Sequence, residues 1–188
     1  MLPALLLIDL QIDFLSDSGR MSVGRDNAAR VIAVANRLIS FHEKRHWPIV
    51  LVCSNYKRYT VVANYLRKYA AMEGSEGSRP DPRLVFSQSP VTFPKSRSSA
   101  FANPYFAEYL KQKLVDRVVI CGVYAEGSVR ATAEDARQAH LDVALVADAI
   151  ASRQAAQYTW ALSQMEQEGM RILTLDEYLQ QADVPWFE

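Results

Sequence analysis

Short apolar runs alternate with segments of helical period along the chain, and this rhythm predicts an α/β fold in three layers, a doubly wound six-stranded parallel sheet flanked by helices. Length and composition agree. With 188 residues and 49% hydrophobic side chains, the chain can bury the full core of a single domain, residues 1–188. No internal repeat or low-complexity tract interrupts it.

The first run, residues 4–9, reads as a strand. Asp26 or Asn27 can cap the helix that follows. Its apolar positions Val31, Val34, Ala35, Leu38 and Phe41 recur at helical spacing, its basic end Lys44-Arg45-His46 suits the negative pole of the dipole, and Pro48 stops it. Residues 49–53 form the second strand. Residues 60–72 repeat Val62, Leu66 and Tyr69 on one face and predict a helix, with Tyr56, Tyr59, Tyr65 and Tyr69 as packing side chains rather than a substrate cage. Residues 73–83, rich in Gly, Ser and Pro and without period, predict a surface loop too short to separate domains. Strands are then expected at 91–93, 118–121, 143–146 and 171–173, and helices at 104–113, 126–140 and 155–168, with Arg130 and Asp135 as helix-surface charges. The closing residues 184–188 read as a tail that docks through Trp186 and Phe187.

Lys plus Arg and Asp plus Glu both number 21, so no basic excess exists to hold a nucleic acid or an anionic membrane. The opening apolar stretch is too short for a leader or a membrane span, so a cytoplasmic protein is expected. Cys53 and Cys121 each close an apolar run and neither stands in a Cys-x-x-Cys pair, which suits small buried hydrophobes better than a disulfide. The three histidines, His42, His46 and His140, lie in polar contexts near helix ends.

In an open parallel sheet, ligands bind beyond the carboxyl ends of the strands. Three places qualify: Asp9, Lys95 and the turn from Gly122 to Ser128. Each has an ordinary structural role as well. Asp9 can be a turn residue, Lys95 a solvated charge, and Ser128 the cap of the following helix.

Taken together, Leu-Leu-Ile-Asp9-Leu-Gln11-Ile-Asp-Phe14, Lys95-Ser-Arg-Ser-Ser99-Ala-Phe101 and Gly122-Val-Tyr-Ala-Glu-Gly-Ser128 resemble the isochorismatase-like hydrolase superfamily, which includes nicotinamidases and other amidases. The resemblance runs from Ala4 to about Leu179. It implies that Asp9 is the acid/base carboxylate and Lys95 its lysine, with Phe14, Tyr124 and Ala125 against the substrate, and a cis peptide between Val123 and Tyr124. At the place of the family's nucleophilic cysteine stands Ser128. A helix N-terminus favours thiolate, whereas a serine hydroxyl needs a strong base that no histidine supplies here.

The isochorismatase branch also lacks a catalytic cysteine, and Gly122-Val-Tyr-Ala is closer to that branch. The resemblance then implies that Asp9 protonates an enol ether carbon and that water adds to the resulting oxocarbenium. The amidase branch binds a metal after the second strand through Asp-x-His. Ser54 to Thr60 holds neither residue type, so no metal and no cofactor is expected. Two readings stay open. One is a hydrolase of a small enol ether or amide-type substrate, with Ser128 orienting water or substrate; the other is a silent relative that binds a small ligand or a protein partner. The resemblance also implies a homodimer or larger assembly.

Overall fold

Each apolar run becomes a strand of one parallel sheet in the computed structural model, which describes residues 2–182. The strands are β1 (Pro3–Ile8), β2 (Ile49–Ser54), β3 (Val91–Lys95), β4 (Arg117–Val123), β5 (Asp142–Ala151) and β6 (Arg171–Leu173), in the order β3-β2-β1-β4-β5-β6. The helices are α1 (Ile12–Leu15), α2 (Arg25–Lys44), α3 (Val61–Leu66), α4 (Pro104–Gln112), α5 (Arg130–Gln138), α6 (Ala155–Gln167) and α7 (Leu175–Gln181). Trp186 and Phe187, expected to dock the tail, lie outside the described residues.

The uniform hydrophobicity of β1 follows from its place at the centre of the sheet. Side chains alternate across a strand, so Leu5 and Leu7 join one core layer with α2 and α7, while Ala4, Leu6 and Ile8 join a second layer with α4, α5 and α6. All six residues of β1 are buried. The order of strands reverses direction beside β1, between β1 and β4, and that is where an open sheet leaves a crevice.

Three departures from the sequence reading have local causes. β5 runs past Val146 to Ala151 through an irregularity, since Ile120 pairs with Leu145 but Gly122 with Ile150. The Arg30 guanidinium donates to the carbonyls of Asp148 (2.6 Å) and Ile150 (3.1 Å), satisfying acceptors that the ladder leaves over. The helix expected over 60–72 is only α3, because Lys68, Tyr69 and Ala71 adopt left-handed backbone. Val62, Leu66, Tyr59 and Tyr65 are exposed and do not pack as expected. The loop at 73–83 is not merely superficial. Gly77 lies so close to Asp13 that a Cβ would stand 2.1 Å from its carboxyl, and Asp81 is buried.

Two elements went unread, α1 and α7. The second carries a capping box, Thr174 with Glu177. Arg130 is more than a surface charge: it pairs with Glu134 and Glu168 and covers the Trp160 ring.

His42 reverses its expected polar setting. It is fully buried on α2, its Nε2 lies 2.7 Å from the Tyr178 hydroxyl, and the rings of Phe41, Trp47 and Tyr178 surround it. Burial, helped by the charge of Arg45, lowers its pKa from 6.5 to about 3. Below pH 6.5 the unfolded chain therefore binds a proton that the folded chain refuses, and stability falls as pH falls. Denaturant unfolding from pH 6.5 to 5, above the range of most carboxylates, should show a loss approaching about 1.4 kcal/mol per pH unit, and His42→Gln should flatten that slope.

Gly122 marks the tightest contact between β1 and β4. Its φ is +139°, and a Cβ there would stand 2.0 Å from the Ile8 carbonyl oxygen. Gly122→Ala should cost about 3 kcal/mol or more in denaturant unfolding, since neither backbone can yield.

Candidate active site

Four parallel strands end at one edge, and each delivers a polar residue there. Asp9 follows β1 with a left-handed φ of 54°, a conformation that Asp tolerates better than most residues. Its amide still donates to the Val52 carbonyl, so the chain turns out of the sheet without losing its neighbour. Lys95 closes β3, Ser54 closes β2, and Ser128 sits in the turn Ala125–Val129 between β4 and α5.

Lys95 Nζ is the centre of this group. It lies 2.8 Å from Asp9 Oδ2, 3.0 Å from Ser54 Oγ and 2.9 Å from Ser128 Oγ, which accounts for all three ammonium hydrogens. The Asp9 and Lys95 side chains are 4% and 0% exposed, so the ion pair is buried. The other carboxylate oxygen, Asp9 Oδ1, accepts the Ser54 amide at 2.9 Å. Asp9, Lys95 and Ser128 are thus brought together as the sequence reading expected.

Gln11 holds the group from behind. Its Oε1 accepts the same Ser54 amide at 2.8 Å, while its Nε2 donates to the Ser54 carbonyl (2.8 Å) and the Ser78 carbonyl (2.6 Å). The carboxamide copies a strand's hydrogen bonding on the end of β2 and ties the 73–83 loop to it. Gln11 and Ser54 were not singled out in the sequence. Both are polar residues that end up fully or nearly fully buried, and only their partners reveal the reason.

The other expected contact residues fall around this core. Phe14 packs edge-on against Tyr124 with ring centroids 5.9 Å apart. The Tyr124 hydroxyl donates to the Met21 carbonyl, and burial pushes its pKa up, so it stays a neutral donor. The peptide between Val123 and Tyr124 is cis. Ala125 is fully buried in the core layer shared with α5 and α6. Tyr56, expected to pack in a helix, instead lies 3.1 Å from Ser54 Oγ through its hydroxyl.

Neither cysteine competes for the nucleophile's place. Cys53 and Cys121 are free and buried, and burial pushes the Cys53 thiol up to about 12 and the Cys121 thiol higher still. The histidines are equally remote. His46 and His140 precede the starts of β2 and β5, at the sheet's opposite edge, a strand's length of about 20 Å away. Between Ser54 and Thr60 no side chain is a carboxylate, thiol or imidazole, and among the described residues no three such groups cluster as metal ligands do.

A family model described as the isochorismatase domain matches residues 3–177. Isochorismatase domain-containing protein 2 of Danio rerio is 29% identical over 108 residues, 57% of this chain, and the match spans about half of that relative's length, 49%. Among solved structures, an isochorismatase-like hydrolase from Alkaliphilus metalliredigens is similar with a TM-score of 0.88 at 24% identity, covering 97% of this chain and 100% of that one. A nicotinamidase from Bacillus subtilis gives 0.84 at 21% identity, over 92% and 100% of the two chains. An N-carbamoylsarcosine amidase from Thermoplasma acidophilum gives 0.80 at 23%, over 94% and 98%. At these identities the likeness is one of fold.

Proposed function

The chain belongs to the isochorismatase family, and on that premise we propose that it is a hydrolase of a small enol ether or amide-type substrate, with Asp9 as general acid and base, Lys95 as its partner, and no cysteine nucleophile. The observation that carries this reading is the buried Lys95 ammonium, 2.8 Å from Asp9 and 2.9 Å from Ser128. Proteins of the same fold include one named as a hydrolase, one as a nicotinamidase and one as an N-carbamoylsarcosine amidase, which supports hydrolysis as the reaction type.

For an enol ether, Asp9 gives the terminal alkene carbon a proton that Lys95 Nζ supplies across their 2.8 Å hydrogen bond, leaving the lysine a neutral amine. The alkene electrons form the new C–H bond, and an oxocarbenium is left. Water adds to that cation and returns a proton to Asp9, which passes it back to Lys95 Nζ. The hemiketal then breaks its C–O bond as the proton of its hydroxyl moves through Asp9 to the leaving oxygen, releasing an alcohol and a carbonyl compound with the ion pair in its starting state. No covalent intermediate on the protein is needed. For an amide, Asp9 takes the proton from attacking water and passes it to the leaving nitrogen.

Ser128 fits an orienting role better than a nucleophilic one. Lys95 donates to its Oγ, which occupies one of its two lone pairs, and no histidine stands near to take its proton.

Pyruvate release from isochorismate and ammonia release from nicotinamide and N-carbamoylsarcosine, assayed side by side, test the proposal. Asp9→Asn should lower the rate on whichever substrate is turned over by about 10²–10⁴-fold, and Ser128→Ala by less than about tenfold. A fully active Asp9→Asn would remove Asp9 from the chemistry. Silence of the wild-type protein on every substrate would favour the ligand-binding reading.

A further inference from the structure

Tyr56 has a role in this site that a count of hydrogens brings out. Lys95, paired with Asp9, is an ammonium with three hydrogens to give and no lone pair to offer. Its hydrogens go to Asp9 Oδ2, Ser54 Oγ and Ser128 Oγ, so both serine oxygens are acceptors toward it. The Ser54 hydroxyl is nearly fully buried, and a buried hydroxyl hydrogen needs an acceptor. Among the described residues that acceptor is the Tyr56 oxygen, 3.1 Å away. Ser54 therefore donates to Tyr56, and the hydrogen of Tyr56 is left to give.

The phenol is also held ready. The Tyr56 amide donates to the Ala71 carbonyl and its carbonyl accepts from the Glu73 amide, both at 3.0 Å. The Arg67 guanidinium lies 4.0 Å from the ring centroid and sets a positive charge over the ring face. Ser54 joins the phenol to the buried ion pair, with its Oγ 3.1 Å from the Tyr56 hydroxyl and 3.0 Å from Lys95 Nζ.

We infer that Tyr56 is a substrate-binding residue whose O–H donates to a carboxylate oxygen of the ligand, with Ser54 as the residue that orients it. The inference deepens the hydrolase reading and rests on it for the identity of the site: the substrate class becomes small molecules that carry a carboxylate. An immobile donor flanked by a cation suits an anionic oxygen, and the side chain loses little freedom on binding.

The test is equilibrium binding of pyruvate and of nicotinate, two small carboxylates, with neutral nicotinamide as the comparison, read by calorimetry or by NMR at millimolar concentration. Tyr56→Phe keeps the ring under Arg67 and removes only the donor. It should weaken both carboxylates by about tenfold or more and leave nicotinamide unchanged, whereas Tyr59→Phe, on an exposed side chain, should alter nothing. If Tyr56→Phe fails to fold, tyrosine-labelled wild-type protein reports the same contact, as a ring resonance that moves with pyruvate and not with nicotinamide. Equal carboxylate affinity in Tyr56→Phe and wild type, an unmoved resonance, or no binding of either carboxylate by the wild type would overturn the inference. Tyr56-dependent binding in a protein that hydrolyses nothing would instead remove the hydrolase reading and leave Tyr56 its role.

Discussion

The buried ion pair between Asp9 and Lys95 is the constraint to which the rest of the carboxyl edge is fitted. Withdrawing two charges from water costs several kcal/mol each, and their mutual attraction offsets this only when the remaining donors and acceptors are also matched. They are matched here. The Ser54 amide fills Asp9 Oδ1, and the hydroxyls of Ser54 and Ser128 take the two lysine hydrogens that Asp9 leaves. Loss of either charged partner would strand the other, which ties the site's chemistry to the stability of β1 and β3.

Several otherwise unrelated features serve that arrangement. A parallel sheet ends neighbouring strands at one edge, so residues 9, 54, 95 and 128, far apart in the chain, can meet around one nitrogen. Asp9 reaches it by leaving β1 in a left-handed conformation, and Gly122 lets β4 press against Ile8 just below. Gln11 then fastens the end of β2 to the loop that carries Ser78, and Asp13, beneath Gly77, accepts the Ala71 amide at 2.7 Å. The segment that positions Tyr56 is thereby anchored to the same short helix that follows Asp9.

What the sequence disclosed and what it hid divide along physical lines. A central strand buried on both faces is written as an unbroken apolar run, so β1, β2 and β4 were legible, as was the amphipathic α2. Asp9, Lys95 and Ser128 were legible because each follows an apolar run or the turn after it, and because the motifs that hold them resemble one family. α3 was overread because Val62, Leu66 and Tyr69 have helical spacing, yet nothing in the described chain covers Val62 or Leu66. The left-handed residues that end the helix carry ordinary side chains, Lys68, Tyr69 and Ala71, and send no turn signal. Gln11, Ser54 and Tyr56 were hidden for another reason: a polar residue at a strand end is commonplace until its partners are known. His42 looked like a polar helix end and proved to be core, because its hydrogen-bond partner is Tyr178, 136 residues away.

The account's central claim is that the Asp9–Lys95 pair carries the hydrolysis and that Ser128 forms no bond to the substrate. Intact-mass spectrometry of the protein, acid-quenched during steady turnover, tests this most directly. The account predicts the unmodified chain of 21.2 kDa at every time point. A mass increment that appears with substrate and maps to Ser128 would contradict it.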